Sequence, residues 1–168
     1  MKKIGLFYGT STTKTAKIAK KITAAFEDAK VDIIPVEDVW EKDFQEFDNI
    51  IVGVSTWFDG ELPTYWDEVK PELESLKLKG KKVAIFGLGD QVKYPENFVD
   101  GMGILAETFE SVGATLVGFT SSEGYNFEHS RALKNGKFVG LAIDIENQHS
   151  KTEKRIKDWV EQLKKEFD

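Results

Sequence analysis

A hydroxyl-rich stretch near the start of the chain has the composition of an anion-binding loop. It follows the apolar run KKIGLFY and precedes a helical pattern. Five hydroxyl side chains and one lysine occupy six consecutive positions: Thr10, Ser11, Thr12, Thr13, Lys14 and Thr15. A helix start needs one capping hydroxyl, so most of these groups are left to bind something else. Hydroxyls and unpaired backbone N–H groups at the start of a helix suit a phosphate group.

The same stretch lacks the glycines of the common nucleotide-binding loops. A P-loop has one glycine directly before its Lys-Thr pair and another five residues earlier. Here Thr13 and Tyr8 occupy those two positions. The dinucleotide pattern G-x-G-x-x-G is also missing after the first apolar run. ATP, GTP and dinucleotide binding of these types is therefore not expected.

A second stretch, STWFDGELP at residues 55–63, places aromatic side chains directly after an apolar run. A solvent-facing loop would normally be polar at this point. Trp57 offers a flat surface for an aromatic ring, and Asp59-Gly60 is a turn dipeptide. The alternative is that Trp57 and Phe58 fold back into the core.

A third stretch, GLGDQVKYPENF at residues 87–98, combines glycines with another aromatic residue. Gly87 and Gly89 permit close backbone approach, and Tyr94 can supply a second flat surface. The alternatives are an ordinary surface role for Tyr94 and a loop-capping role for Asp90. A phosphate site and two aromatic walls imply a phosphorylated planar heterocycle, and flavin mononucleotide (FMN) fits all three stretches.

The elements that must position these stretches alternate between strand and helix. Apolar runs predict five strands, at 2–8, 31–36, 48–56, 81–89 and 114–120, and Pro35 places the second at an edge or its end. Helical periodicity covers 14–29, 63–73, the region from 98 to 112, and 150–167, with Ser150 as a possible N-cap. Nearly continuous apolar strands between amphipathic helices predict a doubly wound α/β fold, with a parallel sheet covered on both faces. Ligands of such folds bind beyond the carboxyl ends of strands, where all three stretches lie.

The chain length and one irregular segment indicate how the domain is organised. A chain of 168 residues suits one domain spanning 1–168. The segment SSEGYNFEHSRALKNG is too long for a routine turn and has weak periodicity. We interpret it as an insertion, at about 121–137, that splits the fifth strand into two pieces.

Together these stretches resemble the flavodoxin family, in its long-chain bacterial type. The phosphate pattern T-x-T-G-x-T matches residues 10–15, with Thr13 in the place of Gly. The pattern T-W-x-x-G-E-L begins at Thr56, and G-x-G-D-Q-x-x-Y-x-x-N-F begins at Gly87. The insertion pattern matches Gly124, Tyr125, Phe127, Ser130, Ala132, Gly136, Phe138, Val139, Gly140, Leu141, Asp144, Asn147 and Gln148. The match covers nearly the whole chain.

The resemblance implies a flavodoxin-like fold with strand order 2-1-3-4-5 and a noncovalently bound FMN. It implies a low-potential one-electron carrier between redox proteins, not an enzyme, with the flavin ring between Trp57 and Tyr94. Backbone groups of residues 58–60 and 89–90 would face the polar edge of the ring. The implied cofactor-binding residues are Thr10, Ser11, Thr12, Thr13, Lys14, Thr15, Ser55, Thr56, Trp57, Phe58, Asp59, Gly60, Leu88, Gly89, Asp90, Tyr94, Asn97 and Phe98.

Composition and charge limit the cofactors, partners and cellular location that are expected for this chain. The chain has no cysteine, which excludes disulfides and cysteine-held iron–sulfur clusters; the two histidines are 20 residues apart and no metal site is expected. A formal charge of −6 argues against nucleic acid as a partner. No apolar run approaches the length of a membrane span, and the first residues fit a strand pattern and not the apolar region of a signal peptide, so we expect a cytoplasmic protein. We also expect a monomer.

The acids near the second and third stretches point to basic redox proteins as partners. In and around these two stretches the sequence holds seven acidic residues and only two lysines. The acids are Asp59, Glu61, Asp67, Glu68, Asp90, Glu96 and Asp100, and the lysines are Lys70 and Lys93. Such a rim lowers the reduction potential of a bound flavin and steers basic proteins. The partners implied by the family resemblance are a reductase of the ferredoxin/flavodoxin–NADP type and low-potential oxidoreductases.

Three other functions are considered. An FMN-dependent quinone or nitro-compound reductase of the same fold would need a substrate pocket over the flavin. A signalling receiver domain would need acidic residues after the first strand, where Gly9 and Thr10 stand. A flavin-free interaction domain would show no visible absorption.

Overall fold

The computed structural model describes residues 1–9, 12–39, 41–56 and 60–168. Its central feature is a parallel sheet in the order β2-β1-β3-β4-β5. The strands are β1 (Ile4–Tyr8), β2 (Val31–Pro35), β3 (Asn49–Ser55), β4 (Lys82–Leu88) and β5 (Thr115–Val117). This order confirms the predicted doubly wound fold, and Pro35 ends the edge strand β2, as its missing N–H requires.

The fifth position of the sheet is shared by two short strands. β5 pairs with the first half of β4, from Lys82 to Ala84, whereas β9 (Leu141–Ile143) pairs with its second half, from Phe86 to Leu88. Both pairings are parallel. The predicted splitting of the fifth strand by an insertion is therefore confirmed.

The insertion forms a small antiparallel sheet of its own. Its strands are β6 (Thr120–Ser121), β7 (Leu133–Lys134) and β8 (Lys137–Phe138), in the order β6-β8-β7. The tight turn between β7 and β8 uses Asn135 and Gly136, both with positive φ, as expected for an Asn-Gly hairpin.

Helices cover both faces of the main sheet. They are α1 (Thr13–Ala25), α2 (Glu41–Gln45), α3 (Thr64–Leu73), α4 (Asp100–Ser111), α5 (Ile145–Gln148) and α6 (Thr152–Glu166). One core, around Phe7, Val52 and Trp66, lies under α3 and α4; the other, around Leu6 and Trp159, lies under α1 and α6. The alternation of Leu6 and Phe7 between the two cores follows from the period of two along a strand.

The structure differs from the sequence prediction around the last helix and the second strand. Ser150 does not cap α6; it lies in a 3-10 turn at His149–Lys151 that joins α5 to α6. The short helix α2 was not predicted, because five residues are too few for a helical period. It carries Phe44, whose ring stacks on Phe7 with centroids 4.3 Å apart.

Candidate functional site

A cavity of about 480 Å³ opens at the carboxyl edge of the main sheet. This volume lies within the range of about 300–1,000 Å³ typical of small-molecule sites. Its walls come from the segments that follow β1, β3, β4 and β9. They are formed by Thr12, Lys14, Ser55, Thr56, Leu88, Gly89, Asp90, Lys93, Tyr94, Ile145 and Glu146.

The start of helix α1 provides the polar end of this cavity. The hydroxyl of Thr12 caps the helix by accepting the Thr15 N–H at 3.3 Å. Thr15 is itself buried, and its hydroxyl lies 3.1 Å from that of Thr12. Other N–H groups of the first turn have no partner within the helix, and the helix dipole makes this end favourable for an anion. The first turn contains no acidic residue to oppose one.

Thr13 and Lys14 occupy exposed positions on the same turn. Thr13 is the first helical residue, and it is not among the described residues with positive φ. A threonine in the family's glycine position is therefore accommodated without left-handed strain. The Lys14 ammonium forms an ion pair with Glu146 of α5 across the cavity.

The third stretch forms a tight turn held by the carboxylate of Asp90. Asp90 Oδ1 accepts the N–H groups of Val92 and Lys93, at 3.1 and 2.8 Å, and the Tyr94 N–H donates to the Asp90 carbonyl at 2.9 Å. Tyr94 is left 44% exposed beside the cavity. The loop-capping alternative for Asp90 is thus what the side chain does. The exposed ring of Tyr94 has the Lys93 ammonium 5.5 Å from its centroid.

The ionisation of Asp90 reflects this turn. Burial alone would raise the pKa of its carboxyl, but N–H donors from Lys93, Asn147 and Val92 and the Lys93 ammonium oppose burial. The net shift of the Asp90 pKa is downward. Hydrogen bonds to the charged form favour that form, so the turn is built around a carboxylate.

The second stretch meets the cavity through Ser55 and Thr56. The Thr56 hydroxyl accepts the N–H of Gly101, at the start of α4, at 2.9 Å. Further along, Gly60 has a φ of +88° and is packed against the Asp100 carboxylate. Asp100 is only 5% exposed, so this acid does not belong to a solvent-facing rim.

Asp100 is held in an environment that opposes its charge. Burial raises the pKa of its carboxyl, and the Arg131 N–H, His129 and the Arg131 guanidinium offset this only in part. Asp100 Oδ1 accepts the Arg131 N–H at 2.8 Å. The carboxylate therefore joins the second stretch to the insertion.

The insertion packs against the back of the third stretch. Phe98 contacts the rings of Tyr125, Phe127 and Phe138 at centroid distances of 5.9, 5.2 and 6.0 Å. The Tyr125 hydroxyl donates to the Ala142 carbonyl at 2.5 Å, and burial raises its pKa to about 12. These aromatic residues form a core between the insertion and the sheet.

The structure brings most of the predicted binding residues together. Eight of them line the cavity: Thr12, Lys14, Ser55, Thr56, Leu88, Gly89, Asp90 and Tyr94. Asn97 and Phe98 line a small adjoining cavity of about 20 Å³ with Val99. Thr13, Thr15 and Gly60 lie beside these walls without lining them. Thr10, Ser11, Trp57, Phe58 and Asp59 lie outside the described residues.

Sequence analysis missed three residues that line the cavity, Lys93, Ile145 and Glu146. Ile145 and Glu146 begin α5, two residues beyond the end of β9. The rule that ligands bind after the carboxyl ends of strands would have found them, if applied to the second half of the split strand.

Comparison with known proteins identifies the family. The flavodoxin family profile matches residues 6–159. The chain belongs to the flavodoxin family. It is 49% identical to a flavodoxin of Trichodesmium erythraeum over 171 residues, covering 99% of both chains, and 38% identical to flavodoxin 1 of Azotobacter vinelandii, also over 171 residues.

A solved structure of the family has nearly the same fold. The flavodoxin of Fusobacterium nucleatum, crystallised with FMN, superimposes with a TM-score of 0.96 at 37% identity, and the match covers 100% of each chain. The family resemblance and the long-chain architecture expected from the sequence are confirmed. No helix among the described residues has the length and apolarity to cross a membrane.

Proposed function

We propose that this protein is a one-electron carrier that uses noncovalently bound FMN and passes electrons between redox proteins. The observation that carries the proposal is the cavity at the carboxyl edge of the sheet. It has anion-binding donors at the start of α1 and an exposed tyrosine ring at its other side. The membership in the flavodoxin family, whose Fusobacterium nucleatum member binds FMN, points to the same ligand.

The residues present fit FMN on the chemistry of their donors. Thr12, Thr13 and Lys14 would hold the phosphate through hydroxyl, amide and ammonium groups at the positive end of α1. Tyr94 would cover one face of the ring, and Trp57 is proposed for the other by family resemblance. Thr10, Ser11, Thr15, Ser55, Thr56, Phe58, Asp59, Gly60, Leu88, Gly89, Asp90, Asn97 and Phe98 complete the proposed binding set.

Bound FMN would supply reversible one-electron chemistry that no side chain of this sequence provides. The side chains around the cavity set the energetics of that chemistry. Glu61 and Glu96 are exposed residues of the second and third stretches, and Asp67 and Glu68 are exposed in the first half of α3. They raise the free energy of adding negative charge inside the cavity, which favours a low reduction potential.

The relatives do not favour a quinone or nitro-compound reductase, since they are flavodoxins, which are electron carriers rather than enzymes. Flavodoxins act with redox partners. For this chain we propose basic partner proteins, namely a reductase of the ferredoxin/flavodoxin–NADP type and low-potential oxidoreductases. We further propose that residues 1–168 form one domain and work as a monomer in the cytoplasm, without nucleic acid or membrane as a partner.

The test is a flavin titration of the purified protein. We expect a yellow protein, or a colourless one that quenches the fluorescence of added FMN at one equivalent. Riboflavin should bind more weakly, because it lacks the phosphate that the start of α1 holds. A colourless protein that leaves FMN fluorescence unchanged would overturn the proposal. Sustained NAD(P)H oxidation by the protein alone would favour the reductase instead.

A further inference from the structure

A fully buried carboxylate, Asp144, immediately precedes α5, whose first two residues line the cavity. Its side chain is 0% exposed. Asp144 Oδ2 accepts the backbone N–H and the side-chain amide of Gln91, at 3.1 and 2.8 Å. Asp144 Oδ1 accepts the Asn147 N–H at 3.0 Å and so caps α5. The third stretch and α5 are therefore attached to one acid.

Asn147 connects this buried acid to Asp90. Its side-chain amide donates to Asp144 Oδ2 at 2.9 Å and to Asp90 Oδ1 at 2.7 Å. A neutral amide thus lies between two carboxylates and donates to both. An amide NH₂ group has two donors and is suited to this position, whereas a second acid there would repel both neighbours.

The contact matters because Asp90 Oδ1 is the atom on which the third stretch turns. The same oxygen accepts the N–H groups of Val92 and Lys93. This turn also determines the position of Tyr94, because the Tyr94 N–H donates to the Asp90 carbonyl. Asn147 fixes the rotation of the Asp90 side chain from outside the turn, so it also restrains the tyrosine.

We propose that Asn147 is a positioning residue for the cofactor site: anchored on Asp144, it holds Asp90 and thereby places Tyr94 against the ring of the bound ligand. This inference rests on the proposed function for the identity of the ring. The structural part, the control of Asp90 by Asn147, stands without any ligand.

The titration of Asp90 reports this contact directly. Lys93, on the same turn, is the cation that lowers the pKa of Asp90. Lys14 and Glu146 line the same cavity, and Asp144 accepts a hydrogen bond from the same Asn147 amide. The side-chain amide of Asn147 is one of the donors that lower the pKa of Asp90. Removing that amide leaves burial less opposed, so the pKa of Asp90 should rise.

The experiment compares Asn147→Ala with Asn126→Ala. Asn126 is an exposed asparagine whose hydrogen bond to Gln91 is made by its backbone N–H, so its side chain serves as the matched control. Carboxyl ¹³C NMR of the FMN-free proteins follows Asp90, and fluorescence quenching gives the affinities for FMN and riboflavin. Asn147→Ser is carried in parallel in case the alanine variant does not fold.

We expect the Asp90 titration of Asn147→Ala to move to higher pH, and that of Asn126→Ala to stay with the original protein. Affinity for FMN and for riboflavin should both fall by about tenfold in Asn147→Ala, as for loss of one hydrogen bond to a charged group. Equal losses place the defect at the ring, whereas a defect at the phosphate would affect FMN alone.

An unchanged Asp90 titration in both Asn147 variants would overturn the inference, as would a loss confined to FMN or no loss of affinity. Failure of the proposed function has a different signature. In that case the original protein binds neither flavin, while the NMR titration of the FMN-free protein still shows whether Asn147 controls Asp90.

Discussion

Gly60 illustrates how closely the residues around the cavity are fitted. Its φ is +88°, and a Cβ added there would lie 2.7 Å from Asp100 Oδ2. The opposing atom belongs to a carboxylate that is itself held by the Arg131 N–H. A side chain at position 60 would therefore meet both backbone strain and a partner that cannot easily move.

We expect Gly60→Ala to lower the free energy of unfolding more than Gly80→Ala does. Gly80 has the same φ of +88° but no atom within 4 Å of an added Cβ, so its alanine variant measures the strain alone. That strain costs about 1–2 kcal/mol, and overpacking at Gly60 should add about 1–3 kcal/mol. Urea unfolding of the FMN-free proteins measures both, and equal losses would contradict the contact with Asp100.

Asp100 should make the free energy of unfolding fall as pH rises. A surface acid in an ion pair has the opposite effect, because its pKa is lowered in the folded protein. The pKa of Asp100 is raised in the folded protein from the ordinary value of 3.8. Between the unfolded and the folded pKa, the folded state holds more protons, so the free energy of unfolding falls as pH rises. Asp100→Asn removes this dependence and keeps an oxygen that accepts the Arg131 N–H.

We therefore expect the stability of Asp100→Asn, relative to the original protein, to increase as pH rises through this window. Urea unfolding of the FMN-free proteins at stepped pH values above 3.8 measures the difference. Asp67→Asn, at an exposed position of α3, is the control and should show no such increase. Parallel pH profiles for Asp100→Asn and the original protein would show that burial does not oppose the charge of Asp100.

Among the elements, the split fifth strand depends on a very close approach of two backbone segments. The chain leaves the sheet after β5 and returns at β9, and the Thr120 hydroxyl joins the two ends by donating to the Gly140 carbonyl at 2.6 Å. A Cβ at Gly140 would lie 1.8 Å from the Ile85 carbonyl oxygen of β4. The return of the strand therefore depends on a residue without a side chain.

Gly140→Ala should separate β9 from β4 and destabilise the protein by at least about 3 kcal/mol, at the upper end of overpacking costs. The opposing atom is backbone and cannot rotate away. Gly136→Ala, in the β7–β8 turn with no atom within 4 Å of an added Cβ, should lose only the cost of its positive φ, about 1–2 kcal/mol. Thermal and urea unfolding of the FMN-free variants compare the two, and similar losses would argue against a close approach of position 140 to β4.

The elements also show what the sequence could predict. Strands such as Asn49–Ser55 and Lys82–Leu88 were found because they are buried on both faces and therefore almost wholly apolar. α2 and α5 were missed because five and four residues are too short to show a period. The cavity residues contributed by α5 were missed with it, since their place depends on where the chain returns after the insertion.

At the scale of the whole molecule, the two edges of the sheet differ in how their charges are balanced. At the amino edge, lysines are paired with acids, as in Lys81–Asp48 and Lys82–Asp168 at 3.7 and 2.9 Å. At the carboxyl edge, Glu61, Asp67, Glu68 and Glu96 make no ion pair within the described part of the chain. These four exposed acids belong to the second and third stretches and to the first half of α3, and they are the charges that a basic partner would meet if it docked beside the cavity.

Docking of a basic partner beside the cavity predicts that the rate of electron transfer depends on where a charge is changed. We compare Glu61→Lys, beside the cavity, with Asp28→Lys, beyond the end of α1 at the opposite edge; both positions are exposed, and both variants change the net charge equally. Steering depends on local potential, so stopped-flow rates with a basic reductase at low salt should fall about tenfold or more for Glu61→Lys and little for Asp28→Lys.

The rate of the original protein should also fall as salt is added, because salt screens the acidic side chains beside the cavity. Equal effects of the two variants would show that net charge alone governs the encounter, and salt-independent rates would exclude electrostatic docking at this edge.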